Sequence, residues 1–208
     1  MAQTQIAENQ SIQLPTLFGD FMMKAYDPEV LGEQPTVVIF KGDLQGREDV
    51  LVRFHSECLT GDIFGSLRCD CWQQLQETLK MIHEEGSGAV IYLRQEGRGI
   101  DLVNKLKTYI LQEQGYDTVE ANVALDLPVD AREDSACLRV LNDLGVRSIR
   151  LVTNNPDKIE KARELGIEVT DRVEIEAGVC DANERYLQTK KEKMGHFLKK
   201  NQQEGFLI

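Results

Sequence analysis

The 208-residue sequence contains nothing close to the ~18 consecutive apolar residues that span a bilayer as a helix, so no membrane protein of that kind is expected. Its start, Met1-Ala2-Gln3-Thr4-Gln5, lacks both a basic n-region and an apolar h-region, and no secretory signal is expected. Basic residues are in deficit: 24 Lys plus Arg stand against 35 Asp plus Glu, a net charge of -11. A general binder of nucleic acid or anionic membranes needs a basic face, so the balance excludes both. It leaves open a small anionic substrate, because a pocket can be basic inside an acidic shell. An even set of cysteines is also missing. Five thiols without an export signal favour metal ligands or buried cysteines over a disulfide framework, and the expected compartment is the cytoplasm. What remains, 41% hydrophobic and 28% charged, suits a globular chain able to bury a core.

No repeat or low-complexity segment interrupts the chain. Residues 1–12 are polar and read as a frayed segment. Short strands are predicted at 14–18, 20–24, 36–40 and 50–54, with breaks at Gly19, Pro28, Gly32, Pro35 and Gly42. Helix and strand then alternate. Leu75, Leu79 and Ile82 form the stripe of a helix over 71–85 that stops at Gly86, and 88–93 is a buried strand. Leu102, Leu106 and Tyr109 mark a helix over 102–114, and Leu138, Leu141 and Leu144 another over 135–144. A strand follows at 148–152, and Asn155-Pro156 caps a helix with Ile159, Ala162 and Leu165 on its inner side. This pattern predicts one α/β domain over 13–200 with a tail at 201–208. Its mainly parallel or mixed sheet is covered by helices as a three-layer sandwich, with a β-rich N-terminal part.

Three of the five thiols, Cys58, Cys69 and Cys71, fall within fourteen residues as Cys-x10-Cys-x-Cys. Three thiolates and one open position are the ligand set of a catalytic zinc, which lowers the pKa of bound water to roughly 7. Three buried thiols, or a structural site completed by His55, Cys137 or Cys180, are the alternatives. Arg94-Gln-Glu-Gly-Arg98-Gly-Ile follows a strand directly, where α/β proteins bind ligands. Its glycines allow close backbone approach, its arginines suit phosphate, and Glu96 can accept paired hydrogen bonds from the donor edge of a guanine. Residues 94–109 carry four bases against two acids, a positive stretch in an acidic chain. The polar segment from Asp117 to Arg132 contains Pro128 and is not expected to be helical through it. In an extended stretch Asp130 and Arg132 point the same way and can act together. Thr153-Asn-Asn-Pro-Asp-Lys158 ends a strand and opens a helix, a plausible phosphate site or a plain helix cap. Residues 185–200, with six bases and one acid, read by default as a solvated helix face, and His83 and His196 as structural.

Together these segments closely resemble GTP cyclohydrolase II. The matching stretches are Arg53-Phe54-His55-Ser56-Glu57-Cys58-Leu-Thr-Gly-Asp62, Ser66-Leu-Arg-Cys69-Asp-Cys71 with Gln74, and Arg94-Gln-Glu96-Gly97-Arg98. They continue through Asn104-Lys105, Tyr109, Gly115-Tyr-Asp-Thr118, Asp130-x-Arg132 and Thr153-Asn-Asn-Pro156 with Lys158. Tyr186, Lys190 and the Lys193-Met-Gly-His196 run complete the set. The resemblance implies a zinc hydrolase that opens the imidazole ring of GTP, releasing formate and pyrophosphate at the first step of riboflavin biosynthesis. It implies one zinc on Cys58, Cys69 and Cys71, magnesium carried on the GTP phosphates, and a homodimer. Arg53, Phe54, His55, Ser56, Glu57, Gln74, Glu96, Gly97, Arg98, Thr118, Thr153 and Lys158 become the GTP pocket. Tyr109 becomes an aid to proton transfer, Asp130 the proton acceptor, and Arg132 the nucleophile on the α-phosphorus. A charged guanidinium is a poor nucleophile, so an electrostatic role for Arg132 is the physical alternative. Trp72, Asp101, Asp126 and Asp134 depart from the family pattern and are expected to add bulk beside the metal or weaken binding of an anion. A divergent paralogue that stops at the formamide or takes another purine nucleotide, or a non-catalytic nucleotide binder with structural zinc, are the competing readings. At this length no fused dihydroxybutanone phosphate synthase domain is expected.

Overall fold

The computed structural model describes residues 10–28 and 34–198. The frayed start and the tail expected from sequence therefore fall largely outside the described residues. Among the described residues seven strands form one mixed sheet: β1 (Ile12–Thr16), β2 (Gly19–Tyr26), β3 (Thr36–Lys41), β4 (Val50–Ser56), β5 (Gly88–Leu93), β6 (Ile149–Val152) and β7 (Val169–Val173). Their order is β1-β2-β3-β5-β4-β6-β7. The N-terminal half is an antiparallel meander that joins β5, and β5, β4, β6 and β7 run parallel.

The helices are α1 (Cys71–Glu85), α2 (Glu96–Gly99), α3 (Leu102–Glu113), α4 (Thr118–Ala124), α5 (Ser135–Asp143), α6 (Pro156–Glu164) and α7 (Glu184–Met194), with one wide helical turn at Leu59–Ile63. Strand alternation places them on both faces of the sheet. Val50, Val52 and Phe54 of β4 pack in one core with Cys137, Val140 and Leu141 of α5 and Ala162 of α6. Leu51 points the other way and packs with Leu79 and Ile82 of α1. Each such buried aliphatic side chain stabilises the fold by roughly 1.5–3 kcal/mol. By the same alternation Arg53 and His55 fall on the α1 face, at the carboxyl end of the parallel strands where ligands bind in open α/β sheets.

Several boundaries differ from the sequence expectation for identifiable reasons. The first strand begins at Ile12 and ends at Thr16, because Leu17 and Phe18 form the turn to Gly19, whose φ is +111°. Residues 118–124 are helical: Asp117 and Glu120 form a reciprocal capping box, and Pro128 lies beyond the helix end. Strand β7 was not expected. Among the described residues it is an edge strand paired with β6 alone, and its Thr-Asp-Arg centre carries no apolar alternation. In α3 the expected apolar stripe is only in part the inner face: Tyr109 lines the cleft, but Lys105 and Thr108 are buried while Leu106 is 46% exposed. The helix turns its polar side to the site and leaves Val103, Leu106 and Ile110 outward.

Candidate metal centre and nucleotide pocket

Cys58 lies two residues past the end of β4, and Cys69 and Cys71 flank Asp70 at the start of α1, so a strand exit and a helix start carry the three thiols. Their sulfurs lie within 4.8 Å of one another, with Cys58 Sγ and Cys69 Sγ 3.6 Å apart. Three corners of a tetrahedron with Zn–S bonds of ~2.3 Å would be ~3.8 Å apart, so the cluster fits such a metal. Gly61, inside the wide turn, makes room for it: a Cβ there would meet Cys69 Sγ at 2.9 Å and Cys58 Sγ at 3.2 Å. Cys137 is buried in the α5 core and Cys180 stands apart with its sulfur 3.9 Å from Leu67 O, so neither joins the cluster. His55 does not complete it either. Its Nε2 lies 3.1 Å from Asp62 Oδ2 and its Nδ1 accepts from Arg53 Nε at 3.3 Å. Asp62 also accepts from Cys58 N at 3.0 Å and Tyr92 Oη at 2.8 Å, which pins the loop carrying the first thiol.

The three cysteines line one cleft together with most of the residues singled out from sequence. Arg53, Phe54, His55, Ser56 and Glu57 contribute from β4 and its exit, Gln74 from α1, and Glu96, Gly97 and Arg98 from α2. Tyr109, Thr118, Arg132, Thr153 and Lys158 close it from the later elements. Asp130 does not line the cleft. It stands behind Arg132, whose Nε donates to its carboxylate at 2.9 Å and whose Nη2 donates to Oδ2. Seven bases of the lining face three acids, Glu57, Asp70 and Glu96, so the wall of the cleft reverses the sign of the chain. Arg98 sits at φ +61° after Gly97 at +62°, a left-handed pair that brings the backbone to the cleft, and its buried Nη1 has no partner among the described residues.

Other side chains are already engaged. Glu96 accepts from Leu59 N at 2.6 Å, Gly97 N at 2.7 Å and Lys105 Nζ at 2.7 Å, which leaves it about one of its four acceptor sites. Lys105, to which the sequence alone assigns no role, makes more than this one contact. It reaches Cys58 Sγ at 3.2 Å and Thr60 Oγ1 at 3.0 Å as well, tying the metal loop to α3. A lysine one position before a hydrophobic stripe carries no sequence signal for this. Tyr109 Oη lies 3.4 Å from Thr60 Oγ1, and burial pushes its pKa up to about 12, so it is a phenol at neutral pH. Burial and the nearby Arg132 push the Lys158 ammonium down to about 7, and it donates to Phe54 O at 2.6 Å. Burial alone would raise Asp130, but the hydrogen bond and charge of Arg132 prevail and hold the carboxyl below its usual range. The same pairing raises Arg132, which stays a cation.

The departures from the family pattern separate in space. Asp101 and Asp126 occupy left-handed backbone, φ +70° and +54°, where glycine is favoured; both are exposed, and neither lines the cleft. They do not crowd the anion site as expected. Asp134 is buried, accepts a 3.4 Å bond from Gln95 Nε2, and its charge acts on Arg132 and Lys158.

Sheet topology, thiol cluster and cationic cleft together define an α/β protein with a candidate metal centre opening into an anion-receptive pocket. A family model described as GTP cyclohydrolase II matches residues 7–174. The chain is 50% identical over 190 residues to a protein named GTP cyclohydrolase-2 from Acinetobacter baylyi, covering 91% of this chain and 94% of that protein. It is 53% identical to the Riboflavin biosynthesis protein RibBA of Synechocystis sp. over 91% of this chain and 34% of the relative, and 50% identical to RibBA of Bacillus subtilis over 94% and 49%. The chain thus spans about a third to a half of those RibBA proteins and nearly the whole of the Acinetobacter one. It belongs to the GTP cyclohydrolase II family.

Proposed function

We propose that the chain opens the imidazole ring of GTP hydrolytically, giving formate, pyrophosphate and the diamino-ribosylamino-pyrimidinone 5'-phosphate, as the first step of riboflavin biosynthesis. The observation that carries the proposal is the convergence of three thiols and a cationic cleft at the carboxyl ends of β4, β5 and β6. Family membership, with relatives named GTP cyclohydrolase-2 and RibBA, supplies the reaction class.

In this reading Cys58, Cys69 and Cys71 would hold one zinc, which supplies Lewis-acid activation of water toward C8 of the guanine. One water opens the ring at C8, a second releases formate, and a third replaces the bond between the α-phosphorus and the pyrophosphate. The cations Arg98, Arg132 and Lys158, with the backbone around Thr153, hold the triphosphate, whose own oxygens would carry the magnesium. Gln74 and the remaining acceptor site of Glu96 face the base, and Tyr109, a phenol at neutral pH, donates a proton at the opening ring. Asp130 holds Arg132 through its Nε and Nη2 donors and is poised to accept a proton from it. For Arg132 to attack the α-phosphorus, a nitrogen–phosphorus bond forms, the bond to pyrophosphate breaks, and the guanidinium proton passes to Asp130. The pairing that keeps Arg132 a cation favours a second reading of that residue, an electrostatic clamp on the α-phosphate with water as nucleophile. A guanylyl adduct on Arg132, sought by intact-protein mass spectrometry after a rapid quench, separates the two.

The proposal includes a homodimer, residues 13–200 acting as one catalytic unit, and a cytoplasmic setting. Val103 and Ile110, 65% and 56% exposed on the outward face of α3, support a second copy there, and sedimentation of the purified protein tests it. Among the described residues no helix is long and apolar enough to cross a membrane. The functional test is incubation with GTP, zinc and magnesium, followed by measurement of formate, pyrophosphate and the mass of the pyrimidine. A product that keeps the formyl group indicates the truncated reaction, and GTP recovered intact indicates a binding protein.

A further inference from the structure

Asp70 lies between the ligand candidates Cys69 and Cys71, at the position preceding α1, with its side chain 4% exposed. A carboxylate there ordinarily caps the helix, yet this one makes no bond to the N–H groups of α1. It accepts instead from Gln74 Nε2 at 2.5 Å and from Lys190 Nζ at 2.9 Å. Gln74 in turn accepts from Arg53 Nη2 through Oε1, and Arg53 is fixed further by a 3.2 Å bond to Val152 O. Both ends of the Gln74 amide are therefore oriented by protein, and that orientation begins at Lys190 on α7.

Helix α7 lies beyond the 7–174 stretch matched by the family model, and from sequence its bases read as a solvated face. The structure pins it to the site instead. Asn183, 1% exposed, donates to Cys69 O at 3.4 Å; Lys193 bonds Asp117 and Glu120 of α4; and Phe197 N donates to Asn154 O at 2.8 Å. Tyr186, Lys190, Met194 and His196 line the same cleft as the cysteines, and the Lys190 ammonium lies 4.5 Å from the Tyr186 ring centre.

We propose that α7 is a wall of the nucleotide pocket and that Lys190, through Asp70, is the positioning residue that sets the Gln74 amide and Arg53 for recognition of the purine base. The inference rests on the functional reading above, in which Gln74 faces the base. Removing the Lys190 ammonium frees Asp70 to turn toward the N–H groups of α1, and the amide of Gln74 then loses the anchor on its Nε2 that also fixes where its Oε1 can accept, the atom able to take the 2-amino N–H of guanine. The sulfurs are contacted by Gly61, by the loop that Asp62 pins and by Lys105, and Lys190 bonds none of these.

The test is Lys190→Met in the full chain, with zinc content, unfolding midpoint, and kcat and KM for GTP and for ITP, which lacks the 2-amino group of guanine. The expected result is one zinc per chain, a KM for GTP raised tenfold or more with a smaller change in kcat, and a GTP-to-ITP preference reduced about tenfold. Lys190→Arg should restore most of the preference, and Asp70→Asn with Lys190→Met should recover part of the KM, because the carboxylate that lost its ammonium is then neutral. A zinc-loaded, folded Lys190→Met protein with unchanged GTP-to-ITP preference overturns the proposal. Loss of the fold in both Lys190→Met and the double variant assigns the pair to stability and also overturns it. Should the unaltered protein release no formate, the functional reading has failed on its own, and equilibrium binding of GTP and ITP to the same variants still decides the role of Lys190.

Discussion

Replacing Gly61 by alanine perturbs the thiol cluster with a single methyl group. The new Cβ would stand 2.9 Å from Cys69 Sγ, 3.2 Å from Cys58 Sγ and 3.2 Å from Cys71 Cβ. Ordinary contacts of this kind are at least ~3.5 Å, so one or more sulfurs must retreat by about half an ångström. Metal ligands tolerate only ~0.2 Å. Gly61 is not among the residues at positive φ, so alanine meets no backbone strain there. In the metal-free protein the substitution should be close to neutral, since a compatible Gly→Ala change stabilises by ~0.4–1 kcal/mol through the unfolded chain and offsets the repacking. Zinc affinity should fall 10–100-fold, the range seen when groups supporting metal ligands are altered, which is roughly 1.4–2.8 kcal/mol. Competition with a chromophoric chelator measures the affinity, and urea unfolding of the stripped protein measures the fold. Wild-type zinc affinity in a normally folded Gly61→Ala protein would refute the claim that these three sulfurs form the metal centre.

Three further outcomes follow from the same geometry. Lys158 has a folded pKa of about 7, below its unfolded value, so the unfolded chain binds the extra proton above pH 7 and the free protein gains stability as pH rises from about 7 toward 10.5. Burial first, then Arg132, Asp134, Arg53 and Cys137, set that value, and an arriving triphosphate raises it. GTP affinity is then full below pH 7 and falls as pH rises past it, with proton uptake seen by calorimetry in buffers of different ionisation heat; Lys158→Met should abolish the uptake. Asp130→Asn removes the acceptor beside Arg132 and should lower pyrophosphate release ~100–10,000-fold while zinc content stays unchanged, as measured by a coupled phosphate assay. Ile82→Ala empties a fully buried site between α1 and the sheet and should cost ~2–5 kcal/mol in denaturant unfolding.

Much of this site was legible from the chain because its parts are local. Cys58, Cys69 and Cys71 declare themselves by spacing, and Asp130 and Arg132 by the two-residue period of an extended segment, which the structure shows as an ion pair. Helix α1 was legible to the residue, because Leu75, Leu79 and Ile82 form one stripe and Gly86 ends it at φ +76°. The failures share a different cause. Helix α4 is a short segment with its own capping box at Asp117 and Glu120, and it ends before Pro128, through which no helix is expected. Lys105 and Lys190 face inward because Glu96, Cys58 and Asp70 meet them across 9, 47 and 120 residues of chain, and no local pattern announces such partners. A buried lysine looks like a solvated one until its carboxylate is in place.

The most direct test of the central claim is formate release from GTP as the stripped protein is titrated with zinc in the presence of magnesium. The account predicts activity that is absent without zinc and rises in proportion to added metal until one zinc per chain, with no such rise in Cys69→Ser. Formate released at full rate by the stripped protein, or none at saturating zinc, would contradict it.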